Sequence, residues 1–514
     1  MNDIYIKKYL WSKKENKILF NSIKKHINIH NINRYIPILS IYLYFHNTKY
    51  SHKILDINRK YYLKNILSSE DLKYYNSNKV CNIELYDSYL NKTINTDCFL
   101  KIIPILDVIS YIKNNYNLNN TNIPNNYVHN AYSKINSLYN SCYIDTFFSF
   151  IVGELSSNNI NPSFAKFYSQ VNGIIDNYKH DITEEYNEIN KYKGFTKNLG
   201  KKFNLTIYSD DSYNSDDSYN SEKDNDSEKD NDSEDDSEDD SDDNDSEDDS
   251  DDNDSDDNDS EDDSDDNDYI LNIKKFPVQL LFIEKLENTL DKLFPEINIR
   301  LLCSCYFQII FALIYLQKHY KFTHNDLHIN NVMYKKTSKK FLYYKYNNLY
   351  FKVPTYGIIF KIIDFGRSIF TFKNKIFCND IFSEFGDCES QYDHPIKNVD
   401  LFVNNNKIKY NCEPNYSFDM CRLTTTILEE IKNHDIFKEK DDITNNFLDL
   451  LNVIITDKNN NKIYNEEIKD SFDLYINISR KACNGIPRNL INNKVFKIFR
   501  INKKSFPKSN YYKI

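Results

Sequence analysis

The stretches FTHNDLHINNVMY (322–334) and FKIIDFGRSIF (360–370) decide the fold. In the first, His324, Asp326, Leu327 and Asn331 stand in a fixed register, Asn331 five residues after Asp326. In the second, Asp364, Phe365 and Gly366 close a short apolar run that reads as a strand. The largely apolar stretch Asn298 to His319 precedes both and reads as a long buried helix. Taken singly, an Asp before a turn is common as a cap or turn residue. Two such segments in this order, each beside the element just described, are poorly explained by chance.

Together the segments resemble the protein-kinase signature H-R-D-L-x-x-x-N followed by D-F-G. With FLKIIPILD, YIDTFFSF and EPNYSFDMCRL, they make the chain similar to the protein-kinase-like superfamily, and to kinase-like proteins of large DNA viruses. The resemblance implies phosphoryl transfer from ATP, which needs positioning and charge neutralisation more than covalent chemistry. On the matching positions Asp326 is the catalytic carboxylate that meets the incoming hydroxyl, with His328 beside it. Asp364 and the amide oxygen of Asn331 are the implied metal ligands, and such hard oxygen donors suit Mg²⁺.

The likeness extends outward over roughly residues 96–435 and excludes an acidic tract. PVQLLFIEKLENTLDKL (277–293) looks like a fifth strand, a hinge at Glu284 to Leu286 and a short helix over Glu287 to Leu293, so Glu284 and Leu286 are implied nucleotide contacts. Lys101, in the predicted strand CFLKIIPI (98–105), sits where kinases place the lysine that grips the α- and β-phosphates. NSLYNSCYIDTFFSFIVGEL (136–155) has helical periodicity and offers Asp145 or Glu154 as the acid that pairs with Lys101. FAKFYSQV (164–171) resembles the fourth strand, and Asp419 the structural aspartate that opens a large helix.

Three departures stand out. No glycine precedes Gly153, so the Gly-rich loop over the phosphates is absent, and with it the easiest approach of backbone amides to a phosphate. Asn325 replaces the usual Arg, which removes the usual receptor for a phosphorylated activation loop. His328 replaces Lys, giving an HxDLHxxN pattern also similar to aminoglycoside and choline kinases. The inserted KKTSKKFLYYKYNNLYFKVPTYG (335–357) reads as a hairpin that decorates the surface.

The net charge of −11 hides two opposed regions. Residues 209–268 hold 34 acidic residues against Lys223 and Lys229, so the rest of the chain carries +21. A tract of repeated Ser, Asp, Glu and Asn has too little apolar surface to offset its conformational entropy and should be disordered. It lacks the central Gly of a calcium loop and could take a basic partner, while the basic body suits anionic ones, nucleic acid included. The 10 cysteines form no CxxC pair, and the polar N-terminus lacks a signal-peptide apolar run. An intracellular, cytoplasmic protein with no membrane partner is expected, or one carried in a virion if viral.

The expected fold class is α+β: a bilobal protein-kinase-like fold, small β-rich N-lobe and mainly helical C-lobe, with a disordered acidic insertion. Residues 1–95 form a basic region that includes, at most, the first N-lobe strands. Residues 96–208 and 269–287 make the N-lobe, 209–268 the insertion and 288–514 the C-lobe. The resemblance implies a protein serine/threonine kinase using ATP and Mg²⁺ on a protein substrate. A small-molecule phosphotransferase and a pseudokinase scaffold are the alternatives.

Overall fold

The computed structural model describes residues 4, 6–39, 54–69, 79–113, 133–209, 267–383, 386, 388–392, 414–434, 441–464 and 472–514. It is a mixed α+β structure, β-rich in its N-terminal region and with helices through its C-terminal half.

The N-terminal region is organised by a seven-stranded sheet. Its strands are Ile29–Asn33 (β1), Tyr61–Ser69 (β2), Lys79–Asp87 (β3), Lys92–Pro104 (β4), Phe167–Asp181 (β5), Phe203–Ser209 (β6) and Asn267–Glu284 (β7). The spatial order is β1-β5-β7-β4-β3-β2, with β6 also pairing β7, and every ladder is antiparallel. Buried and half-exposed residues alternate along β3, as the two-residue period of a strand requires. The expected boundary at residue 95 therefore fails: it cuts β4, and β1 to β3 lie in the same sheet, because one buried face holds all of these strands in register. The edges of the acidic tract also move. Ser209 faces Asn267, and Tyr208 faces Asp268, across the β6–β7 ladder, where backbone pairing overrides the polar composition. The expected disorder of 210–266 lies outside the described residues.

Helix Ser141–Ser157 (α1) packs beneath this sheet. Asn140 caps it by accepting the Cys142 N–H, and nearly every residue of the helix is buried. Gly153 permits that approach: a Cβ there would come within 2.5 Å of the Phe167 Cβ. Helix Ile299–Tyr320 (α2) begins at Asn298, whose side chain accepts the Leu301 N–H, and ends on Lys321 in the left-handed region. By length and composition α2 is apolar enough to cross a membrane, but 94% of its most apolar window is buried within the fold. As expected, it is a core helix. Among the described residues no cysteine forms a disulfide.

Two expectations fail around α2. Residues Glu287 to Leu290 are not helical. The N–H groups of Glu287 and Leu290 donate to Tyr334 and Val332 carbonyls on strand Val332–Lys336 (β8), and a 3₁₀ turn spans only Asp291–Glu296. The strand offers partners that an isolated short helix lacks. The inserted hairpin, Phe341–Tyr346 (β9) and Leu349–Pro354 (β10), does form, but it is core rather than decoration. Tyr344 and Phe351 are fully buried, their rings 4.5 Å from Phe311 and 4.9 Å from Phe307 of α2. An aromatic-rich strand has too much apolar area to leave in water. Strand Ile358–Ile362 (β11) pairs with β8 and delivers the segment Ile363 to Gly366.

Candidate active site

A cavity of about 260 Å³ lies between the sheet and the helical half, lined among others by Val80, Lys101, Asp145, Leu286, Met333 and Asp364. Lys101 enters from β4, and its register opposite Leu281 sets its place on the sheet. Its Nζ stands 2.8 Å from Asp145 Oδ2 and 3.0 Å from Asp364 Oδ1. Burial works against the Lys101 ammonium, yet the two carboxylates outweigh it and raise its pKa above the ordinary value. Asp145, rather than Glu154, is the partner. Nine residues along a helix is about two and a half turns, so the two acids face opposite ways. Glu154 accordingly meets the Lys60 N–H and Asn158.

Asp364 adopts a φ of 62°, a left-handed conformation that costs an L residue about 1–2 kcal/mol. Desolvation would push its carboxyl up, but Lys101 holds it below the ordinary value. The carboxylate remains 44% exposed, open to a further cation. The amide of Asn331 donates through Nδ2 to the Asp326 carbonyl at 2.8 Å, which leaves its Oδ1 without a partner among the described residues. Two hard oxygen donors thus come free of protein partners on their outer side. The described residues hold no cluster of three or more His, Cys, Asp and Glu. That donor set fits Mg²⁺ carried on a phosphate ligand, because Mg²⁺ takes few protein groups and keeps several waters.

Asp326 and His328 lie on the same turn. His328 caps the turn Ile329–Asn331 by accepting the Asn330 N–H at Nδ1, and its Nε2 is 3.1 Å from Asn331 Nδ2 and 3.9 Å from Asp326 Oδ1. Burial lowers its pKa more than Asp326 raises it, which favours the neutral ring. The turn itself is fixed from beneath. Asp419, at the start of helix Phe418–His434 (α3), accepts the backbone N–H groups of both His324 and Asn325, as its expected structural role requires. Asn325 bonds the Arg367 carbonyl through Nδ2 and the Tyr392 hydroxyl through Oδ1, ordering the segment after Gly366 with neutral groups.

No family model matches the chain, and no curated protein matches it. The site therefore stands on its own geometry.

That geometry brings Lys101, Asp145 and Asp364 into one ion-paired group, and Asp326, His328 and Asn331 onto one turn. Leu286 lines the cavity. Glu284 also lines it, but its carboxylate is engaged elsewhere: Lys335 reaches Oε1 at 3.1 Å and Lys361 reaches Oε2 at 3.2 Å. Burial opposes ionisation there, yet Lys361 and then Lys335 outweigh it and hold the Glu284 carboxyl at about 2. Lys361 was missed from sequence. It also donates to the carbonyls of Pro162 and Phe164, so one buried ammonium ties β11 to the entry of β5 and the end of β7. The signal that marked Lys101, a lysine amid apolar strand neighbours, is equally present in FKIIDFG. Tyr475, whose hydroxyl donates to Asp326 at 2.7 Å, was missed too and carries no local signal.

Proposed function

We propose that the chain is an ATP- and Mg²⁺-dependent phosphotransferase with the bilobal architecture of the protein-kinase-like superfamily, acting on serine or threonine in a protein substrate. The observation that carries this reading is Lys101 held between Asp145 and Asp364 at 2.8 and 3.0 Å on the wall of a cavity. A lysine so placed would meet phosphate oxygens of a bound nucleotide, while Asp364 would hold the metal that neutralises their charge. In this account the sheet is the small lobe and the helices around α2 and α3 belong to the large one. Leu286 lies at the hinge, and its backbone N–H has no partner among the described residues, leaving it available to a purine.

Asp364 and Asn331 Oδ1 would hold Mg²⁺, which supplies charge neutralisation across the phosphates when bound. Asp326 meets the acceptor hydroxyl and takes its proton. The absence of glycine before Gly153 implies a weak clamp over the phosphates. The connection between β2 and β3, where such a loop would fall, lies outside the described residues. The neutral ties of Asn325 imply a site that needs no loop phosphorylation to order it. An intracellular setting, and a basic partner for the acidic tract, belong to the same reading.

The test uses the purified full chain. Calorimetry should give ATP binding that requires Mg²⁺, and radiolabelled phosphate should pass from ATP to a generic protein substrate and stop when EDTA is added. Binding without transfer would make the chain a nucleotide-binding scaffold, and absence of both would remove the reading.

A further inference from the structure

Asp326 is held by a residue that the kinase-like signature does not contain. The Tyr475 hydroxyl, on helix Asp473–Lys481 (α4), donates to Asp326 Oδ1 at 2.7 Å. Arg367 Nη1, at 3.6 Å, and His328 Nε2, at 3.9 Å, approach that same oxygen. Oδ2 has no partner among the described residues. The phenol is built in firmly. Its ring stacks on Phe472 at 5.6 Å and lies 6.1 Å from Phe418, with the Arg422 and Arg367 guanidinium groups 5.0 and 5.4 Å from it. Asn415 Nδ2 donates to the Ser479 and Ala482 carbonyls, Ser479 Oγ to the Gln391 carbonyl, and Arg480 to the Ser390 carbonyl, so α4 is tied down on both sides. Burial first, and the Asp326 charge second, raise the phenol pKa, so it remains a proton donor at neutral pH.

We propose that Tyr475 is a positioning residue for Asp326: it fixes Oδ1 so that Oδ2 faces the acceptor hydroxyl. The inference rests on the phosphotransferase reading and adds a further segment, from the C-terminal region, to its site. A carboxylate tethered at one oxygen has lost a rotation that would otherwise misalign it, and small misalignments at a reacting centre are expensive in rate. In the transfer the acceptor oxygen bonds the γ-phosphorus while the bond to the β,γ-bridging oxygen breaks. ADP leaves with that electron pair, and the acceptor proton moves to Asp326 Oδ2. Tyr475 keeps its own proton throughout, so it orients and does not exchange.

Tyr475→Phe removes the hydroxyl and keeps the ring packing, so the fold is retained. The expected result is a kcat lower by about tenfold, the size of one lost hydrogen bond to a charged group, with KM for ATP unchanged. In an Asp326→Asn background the same change should lower kcat no further, because Tyr475 acts only through that carboxylate. An unchanged kcat overturns the proposal, as does a higher one, which would mean that the phenol obstructs the acceptor. A wild-type chain that binds Mg²⁺-ATP and transfers nothing overturns the phosphotransferase reading and this role with it. Transfer insensitive to Tyr475→Phe overturns this role alone.

Discussion

Asp145 and Phe365, 220 residues apart in the chain, are joined by one hydrogen bond, the Phe365 backbone N–H donating to Asp145 Oδ1 at 3.0 Å. The other oxygen of the same carboxylate takes Lys101 at 2.8 Å. One buried acid therefore fixes α1, β4 and the turn after β11 relative to one another. A carboxylate in that position is tolerable only because both oxygens are partnered. The Phe365 ring, 5.2 Å from Phe148 of α1, reinforces the same junction.

Removing that acid should cost stability as well as ligand binding. Asp145→Ala leaves the Phe365 N–H without its acceptor and the Lys101 ammonium with Asp364 alone. A loss of about 1–3 kcal/mol is expected for a stranded buried donor, measured by urea unfolding, together with weaker Mg²⁺-ATP binding. A variant as stable as wild type would show that the junction is not held by this carboxylate.

Glu284 gives a pH dependence of defined sign. Its carboxyl is held at about 2, against an ordinary 4.5. A depressed carboxyl contributes stability that is present above its unfolded value and lost as pH falls through the folded one. The difference in melting temperature between wild type and Glu284→Gln should therefore be full above about pH 4.5 and shrink from there toward pH 2. A difference that grows on acidification would contradict the ion pairs with Lys361 and Lys335.

The hairpin β9–β10 is tested by Phe351→Ala. A fully buried phenylalanine packed on Phe307 should cost about 3–5 kcal/mol when truncated. A surface decoration would change stability by no more than about 0.5 kcal/mol. Chemical denaturation separates the two.

Much of the candidate site was legible because its residues sit in short local registers: Asp326 with Asn331, Asp364 with Phe365 and Gly366, Lys101 amid apolar neighbours. The pairing of Lys101 with Asp145 was open between two acids; helical phase shows that only one of them can face Lys101, and the contact itself decides which. What was not legible depends on contacts between distant segments. Glu287 to Leu290 has helical composition but is captured by β8. Tyr344 and Phe351 are core only because α2 offers Phe307 and Phe311. The partner of Asp326 comes from a helix some 150 residues on, at Tyr475, which no local pattern announces.

The acidic tract is tested by replacement. Ser209 and Asn267 already face each other on β6 and β7, so a short Gly/Ser turn can join them without moving either strand. Each halving of a loop recovers about 0.6 kcal/mol of closure entropy, so the melting temperature should stay level or rise slightly. A large fall would mean that the tract packs on the basic body.

The central claim is that Asp326 serves phosphoryl transfer from Mg²⁺-ATP, and its most direct test is the initial rate of radiolabelled phosphate transfer by wild type and by Asp326→Asn at equal ATP occupancy. The account predicts Mg²⁺-dependent transfer by wild type and a loss of about 10²–10⁴-fold in the variant, with ATP still bound. Equal rates for the two proteins would contradict it.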